Sequence, residues 1–162
     1  MTVVKGIGSL NLKRVFVAGP FIHLVDPKTG LMPPHEKALI ESLLTHFEDV
    51  GAQVFNAHRR EKWGADFMKP EAFTKMDYEQ IASSDLFVVM PGSPPSIGTH
   101  IEIGWATALK LPIVMLLDPA GSYSGMIEGM GAIANLVKVK LENKVVDFEA
   151  LDRAVHEVMA RR

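Results

Sequence analysis

Five short runs of apolar residues recur along the chain: RVFVAG (14–19), AQVFNA (52–57), DLFVVM (85–90), PIVMLL (112–117) and LVKVKL (136–141). Most are apolar at consecutive positions and not at alternate ones, the pattern of strands covered on both faces. Between them the apolar residues return at helical spacing. In HEKALIESLLTHFEDVG, Leu39, Ile40, Leu43, Leu44 and Phe47 make one stripe, Glu36, Lys37, Glu41 and Glu48 stay off it, and Gly51 follows as a stop. PEAFTKMDYEQIASS begins with Pro70, suited to a first helical turn, and Phe148, Leu151, Val155 and Val158 mark a last helix. Strand alternating with helix predicts right-handed βαβ units. The expected fold is α/β, a single doubly wound domain with a five-stranded, mainly parallel sheet flanked by helices, Rossmann- or flavodoxin-like. Residues 1–12 read as a loose N-terminal lead-in and residues 13–162 as the domain.

Composition narrows the function classes. The 162 residues suit one domain, and 17 Lys+Arg against 19 Asp+Glu leave a net charge of −2. That balance offers no footprint for a nucleic-acid polymer or an anionic membrane. DLFVVM and PIVMLL are the longest apolar runs, far short of the roughly 20 residues that span a bilayer, and the N-terminus lacks the apolar core of a signal peptide. A cytoplasmic protein is expected. The absence of cysteine removes disulfides, thiolate catalysis and Cys-based zinc sites together.

In such a sheet ligands bind outside the carboxyl ends of the strands, where strand order reverses. The segments to read are therefore GPFIHLVDPKTG, HRREKWGADF, PGSPPSIGTH and DPAGSYSG, which follow the first four strands. The common nucleotide fingerprints fail: GIGSLN precedes the first strand, Asn11 stands where a third glycine belongs, and no Walker A run exists. Six histidines fall without metal-ligand spacing, so no metal site is expected. Ser93, Ser96, Ser122 and Ser124 lie in loops, none of them in G-x-S-x-G.

Thr99-His100-Ile101-Glu102 remains. T-x-x-E reads as a capping box at a helix start. Against a purely structural role, Ile101, Ile103, Trp105, Ala106, Ala108 and Leu109 cover nearly the whole circumference, which predicts a buried helix. A carboxylate there must be satisfied or functional. The helix N-terminus favours its ionised form by about 0.3 to 1 kcal/mol and burial opposes that. An ionised carboxylate at the mouth of a sheet suits attack on an anomeric carbon, through an oxocarbenium-like transition state, with a nucleobase as leaving group. Asp77, ahead of the third strand, is the best-placed second acid, ahead of Asp26, Asp66 and Asp85, although a solvated acid on an amphipathic helix fits its spacing equally well.

VFVAGPF, an aspartate before I-x-x-x-D-L-F-V-V, and the helix start G-T-x-x-E-I-G-x-A resemble the nucleoside 2-deoxyribosyltransferase family. GPFIHLVDPKTGLM, FNAHRREKWGADF and SIGTHIEIGWA are similar to its nucleotide-hydrolysing branch, the CMP and hydroxymethyl-CMP N-glycosidases. The resemblance implies that Glu102 is the nucleophile, that Asp77 positions the sugar and handles the leaving base, and that Phe21 lines the base pocket; Ile22 beside it is expected at the base edge, and Gly19 among the substrate contacts. Where transferases acting on free deoxynucleosides carry an aspartate six residues before the nucleophile, this chain has Ser96. A carboxylate there would repel a 5′-phosphate, and a hydroxyl can donate to it. A phosphate about 6 Å from an ionised Glu102 is repelled by about 3 kcal/mol per unit charge at an effective dielectric near 20. The groups available to offset this are the amides from Gly98 through Thr99 to His100, the hydroxyls of Ser93 and Ser96, and cations from His58, Arg59 and Arg60. The expected activity is hydrolysis of a nucleoside 5′-monophosphate, without cofactor or metal. The alternatives are a deoxyribosyltransferase and a non-catalytic nucleotide-binding module. The resemblance further implies a homodimer or larger assembly in which residues near Asn135 reach a neighbour's site.

Overall fold

The structure, a computed structural model, describes residues 6–162. Strands β1 (Arg14–Ala18), β2 (Gln53–Phe55), β3 (Leu86–Val89), β4 (Ile113–Leu117), β5 (Leu136–Glu142) and β6 (Val145–Val146) form one sheet in the order β2-β1-β3-β4-β5-β6. The first five pair in parallel, and β6 runs antiparallel to β5. The sheet thus has six strands where the sequence predicts five. β6 escapes the pattern because only Val145 and Val146 pair, opposite Glu142 and Leu141, across a two-residue turn. Asn143 and Lys144 form that turn at φ 52° and 57°, the left-handed pair a tight hairpin needs.

Six helices connect or follow the strands: α1 (Pro34–Glu48), α2 (Ala57–Arg60), α3 (Pro70–Ala82), α4 (Ile97–Ala108), α5 (Gly125–Gly129) and α6 (Phe148–Ala160). Alternate strand residues feed two cores. Val15, Val17, Leu86 and Val88 meet Ile40, Leu43 and Phe47 of α1 and Leu151, Val155 and Val158 of α6 on one face. Phe16, Ala18, Phe87 and Val89 meet Ile81 of α3, Ile103 and Ala106 of α4 and Ile127 of α5 on the other. Burial on both faces is why these strands read as continuous apolar runs.

Two expectations need correction. The described part of the lead-in is packed, not loose: Ile7, in a 3-10 turn over Ile7–Leu10, and Leu12 are buried in the α1–α6 core. Residues 1–5 lie outside the described residues. Helix α4, apolar all round, is not buried all round, for Ile97 is 77% and Ile101 50% exposed.

Helix α1 carries the chain from β1 to β2 on one face of the sheet, and α3 returns it across β1 to β3 on the other. Strand order reverses there, which opens a crevice at the carboxyl ends of β1 and β3. Asp85 fixes the far end of the same pair, its carboxylate accepting the Lys13 and Arg14 amides at 3.0 Å each. No helix of the described residues is long and apolar enough to cross a membrane.

Candidate active site

A cavity of about 280 Å³ occupies this crevice. Gly19, Phe21 and Ile22 enter it from the loop after β1, His58 and Glu61 from α2 and its end, Phe67 from the loop beyond, Phe73 and Asp77 from α3, and Ser96, Gly98, Thr99 and Glu102 from α4.

The N-cap of α4 is Ser96, whose hydroxyl accepts the Thr99 amide at 3.4 Å and the Thr99 hydroxyl at 2.9 Å. Glu102 is the sixth residue of a helix that starts at Ile97, a turn beyond the cap. The capping-box reading is thereby overturned: Ser96 caps, Thr99 supports it, and Glu102 is left to face the cavity. Ile97 and Gly98 are the first two helical residues, so their amides have no carbonyl within the helix to donate to. This end of the cavity offers N–H and hydroxyl groups to an anion.

Burial, reinforced by the charge of Asp77, pushes the Glu102 carboxyl up to about 8 against the pull of Arg60. Asp77 is buried, and desolvation raises its pKa, opposed by the hydrogen bond and charge of Arg60. Arg60 Nη1 donates to Asp77 Oδ1 at 2.8 Å and to Gln80 Oε1 at 3.3 Å, while Nη2 reaches Glu61 Oε1 at 3.3 Å. At neutral pH the cavity therefore holds Glu102 mostly protonated beside an Asp77 paired with Arg60.

His58 is buried, with Nε2 2.8 Å from the Pro20 carbonyl and Nδ1 3.0 Å from Asn56 Nδ2. Desolvation lowers its pKa to about 4, so it stays neutral: Nε2–H donates to Pro20 and Nδ1 accepts from Asn56. Phe21 lies between His58 and Phe67, its ring 4.7 Å and 5.3 Å from theirs, and the three make an aromatic wall. Gly19 lies beneath this wall, where a Cβ would come within 3.1 Å of the end of the Met90 side chain and stand in ordinary contact with the His58 ring.

The structure thus gathers Gly19, Phe21, Ile22, His58, Asp77, Ser96, Gly98, Thr99 and Glu102 at one cavity. Three expectations fail in detail, and Asn135, expected at a neighbour's site, stands apart. His58 lines the cavity but supplies no cation. Arg59 points away and pairs with Glu48 on the surface at 2.5 Å. Ser93 accepts the Ser122 amide at 3.0 Å and borders a neighbouring cavity with Pro20, Asp118 and Tyr123. Asn135 precedes β5 at the amino edge of the sheet, where its side chain donates to the Val158 carbonyl at 2.8 Å, so within one chain it stands outside the cavity. Glu61, Phe67 and Phe73 were not singled out in the sequence. Two of them lie in FNAHRREKWGADF, where nothing local tells an inward side chain from an outward one.

No family model matches the chain, and no curated protein does. Solved structures do. BlsM, known from its solution structure, is 43% identical, with 93% of each chain covered and a TM-score of 0.80. BcmB, a CMP N-glycosidase of Clostridium botulinum, is 35% identical over 87% of this chain and 98% of its own, with a TM-score of 0.67. A conserved protein from Enterococcus faecalis V583, 17% identical over 93% of this chain and 99% of its own at a TM-score of 0.52, shares the fold alone.

Proposed function

Because the chain belongs to the nucleoside 2-deoxyribosyltransferase-like family, in the branch that holds the CMP N-glycosidases, we propose that it hydrolyses the N-glycosidic bond of a nucleoside 5′-monophosphate, CMP or a related pyrimidine nucleotide. The products are the free base and ribose 5-phosphate. The observation that carries this reading is one cavity with Glu102 and Asp77 in its wall and a hydroxyl-capped helix start, in place of a carboxylate, at its mouth.

The base stacks against the wall of Phe21, Phe67 and His58, with Ile22 at its edge. The phosphate takes the Ile97 and Gly98 amides and the Ser96 hydroxyl. With Arg59 turned away and His58 neutral, no cation is needed to offset Glu102, because a protonated Glu102 carries no charge to repel the phosphate. As the bond to C1′ breaks, the proton leaves Glu102 and reaches the departing base by way of Asp77. The resulting carboxylate then meets a sugar that has become positive. Its charge appears when the transition state can use it, which is differential stabilisation. Glu102 Oε bonds to C1′ in a covalent glycosyl-enzyme, water then displaces the Glu102 carboxylate from that carbon while Asp77 takes its proton and returns it to Glu102, and the configuration is retained. The reaction needs neither metal nor organic cofactor, since protonation activates the leaving group. Active sites shared between copies of the chain belong to the same proposal.

Chromatography of purified protein incubated with ribo- and deoxyribonucleoside monophosphates and free nucleosides, with and without a second free base, tests the reading. Free base from a ribonucleoside monophosphate, lost in a folded Glu102→Gln protein, is the expected result. Base exchange on free deoxynucleosides would replace hydrolysis with transfer, and thermal stabilisation by nucleotide without any product would leave a binding module.

A further inference from the structure

Arg60 has no role in the chemistry above, yet its surroundings are unusual. Three carboxylates converge from three parts of the chain: Glu61 at the end of α2, Asp77 on α3 and Glu102 on α4. Arg60 is the cation among them, hydrogen-bonded to Asp77 and Glu61 and to the amide oxygen of Gln80. Its Nε is buried without a partner, a penalty tolerated at a position fixed by the contacts of its two Nη atoms. With both Nη atoms turned to carboxylates, the guanidinium is committed to the acids and not to a phosphate. Two histidines line the same cavity, His23 from the 3-10 turn after β1 and His58 on α2, which is neutral.

We propose that Arg60 is a positioning residue, whose guanidinium fixes the Asp77 carboxylate beside Glu102 and keeps the proton of this acid pair on Glu102 and off Asp77. The proposal rests on the glycosidase reading for its consequence and on geometry for its cause. Without Arg60, Asp77 would lose its hydrogen bond and its counter-ion together, while Glu102 would lose only the pull of the same charge, so Asp77 would gain the more in basicity of the two. Part of the proton would pass to Asp77, and to that extent Glu102 would meet an incoming phosphate as an anion. Arg60 thus acts on substrate binding through the charge state of a residue it does not touch.

The test is a carbon-13 NMR titration of the side-chain carboxyls in the ligand-free full chain, for wild type, Arg60→Lys and Arg60→Gln, beside pH profiles of kcat/KM for CMP hydrolysis. In wild type the upper step is expected on Glu102 and the lower on Asp77. In Arg60→Gln the lower step rises by about one pH unit or more, a sizeable share of the upper step passes to Asp77, and the pH profile moves with them. Arg60→Lys, which keeps the charge and loses the fork, falls between. Unmoved titration steps in a folded Arg60→Gln protein, or lower activity with an unchanged pH profile, would overturn the proposal. Should Arg60→Gln not fold, Arg60→Lys decides: a raised Asp77 step supports the role and an unmoved one rejects it. A wild type that releases no base from any monophosphate defeats the proposed function, while the titration still settles Arg60.

Discussion

At the scale of single residues, Glu102 shows how a site can be built at the expense of stability. Its folded pKa, about 8 against an ordinary 4.5, means that the folded protein binds this proton more tightly than the unfolded chain does. Stability is therefore lost as pH rises from about 4.5 to about 8, the interval in which the unfolded chain ionises and the folded one resists. Glu102→Gln removes that penalty while keeping shape and a polar end. The variant is expected to melt several degrees above wild type at pH 8, with the gap closing towards pH 5, as followed by circular dichroism. An equal gap at both pH values would mean that Glu102 titrates as an ordinary acid. His58 slopes the other way: its folded pKa is lowered from 6.5 to about 4, so its contribution fails as pH falls through that interval. Glu102 and Asp77 were legible in the sequence, because an acid in an apolar helix and an acid ahead of a core strand both stand out against their surroundings. The contrast between Arg59 and Arg60 was not. On a helix of four residues, neighbouring side chains point about 100° apart and no periodicity is long enough to reveal which one faces inward.

At the scale of elements, the start of α4 carries two duties that one substitution would confuse and two can separate. Ser96→Ala removes the cap and the hydroxyl together, so it costs about 1 kcal/mol of stability as well as any contact to phosphate. Ser96→Asp keeps a good cap and adds a charge. If the phosphate sits at this helix start, Ser96→Asp raises KM for a nucleoside monophosphate by about one to two orders of magnitude while the melting temperature moves little. An unchanged KM in the Asp variant would place the phosphate elsewhere. The position of α4 between strands was legible from its apolar residues, but its phase was not. An apolar circumference does not say which side meets the sheet, and Thr99, Ile103 and Ala106 face inward while Ile97 and Ile101 face out. The short β6 was hidden for another reason: its pairing is set by the left-handed Asn143–Lys144 turn, and two valines make no pattern of their own.

At the scale of the whole molecule, six large apolar side chains among the described residues are at least half exposed, Ile22 and Val145 apart from the other four. Ile97, Ile101, Met126 and Ile133 are all at least half exposed, on α4 and on or just beyond α5. In the proposed assembly with shared sites, a second copy of the chain would cover them. Ile101→Lys, measured by sedimentation velocity, should shift the protein to a monomer without unfolding it, and an unchanged sedimentation coefficient would assign contact between copies to another face. The doubly wound frame and the location of the cavity were both legible from the alternation of elements and the rule that ligands sit where strand order reverses. How the loops above the sheet fit together was not. Gly30 and Gly64 belong to loops that leave different strands, and they meet so closely that a Cβ on Gly64, already at φ 108°, would lie 2.5 Å from the Gly30 carbonyl oxygen. The Met32 amide donates to the Trp63 carbonyl at 2.9 Å beside them, and Phe21 and Phe67, one from each loop, complete the wall. These two loops are a single interlocking part. Any side chain placed at Gly64 would force the two loops apart, and the wall of Phe21 and Phe67 would part with them, although neither ring lies at the point of contact.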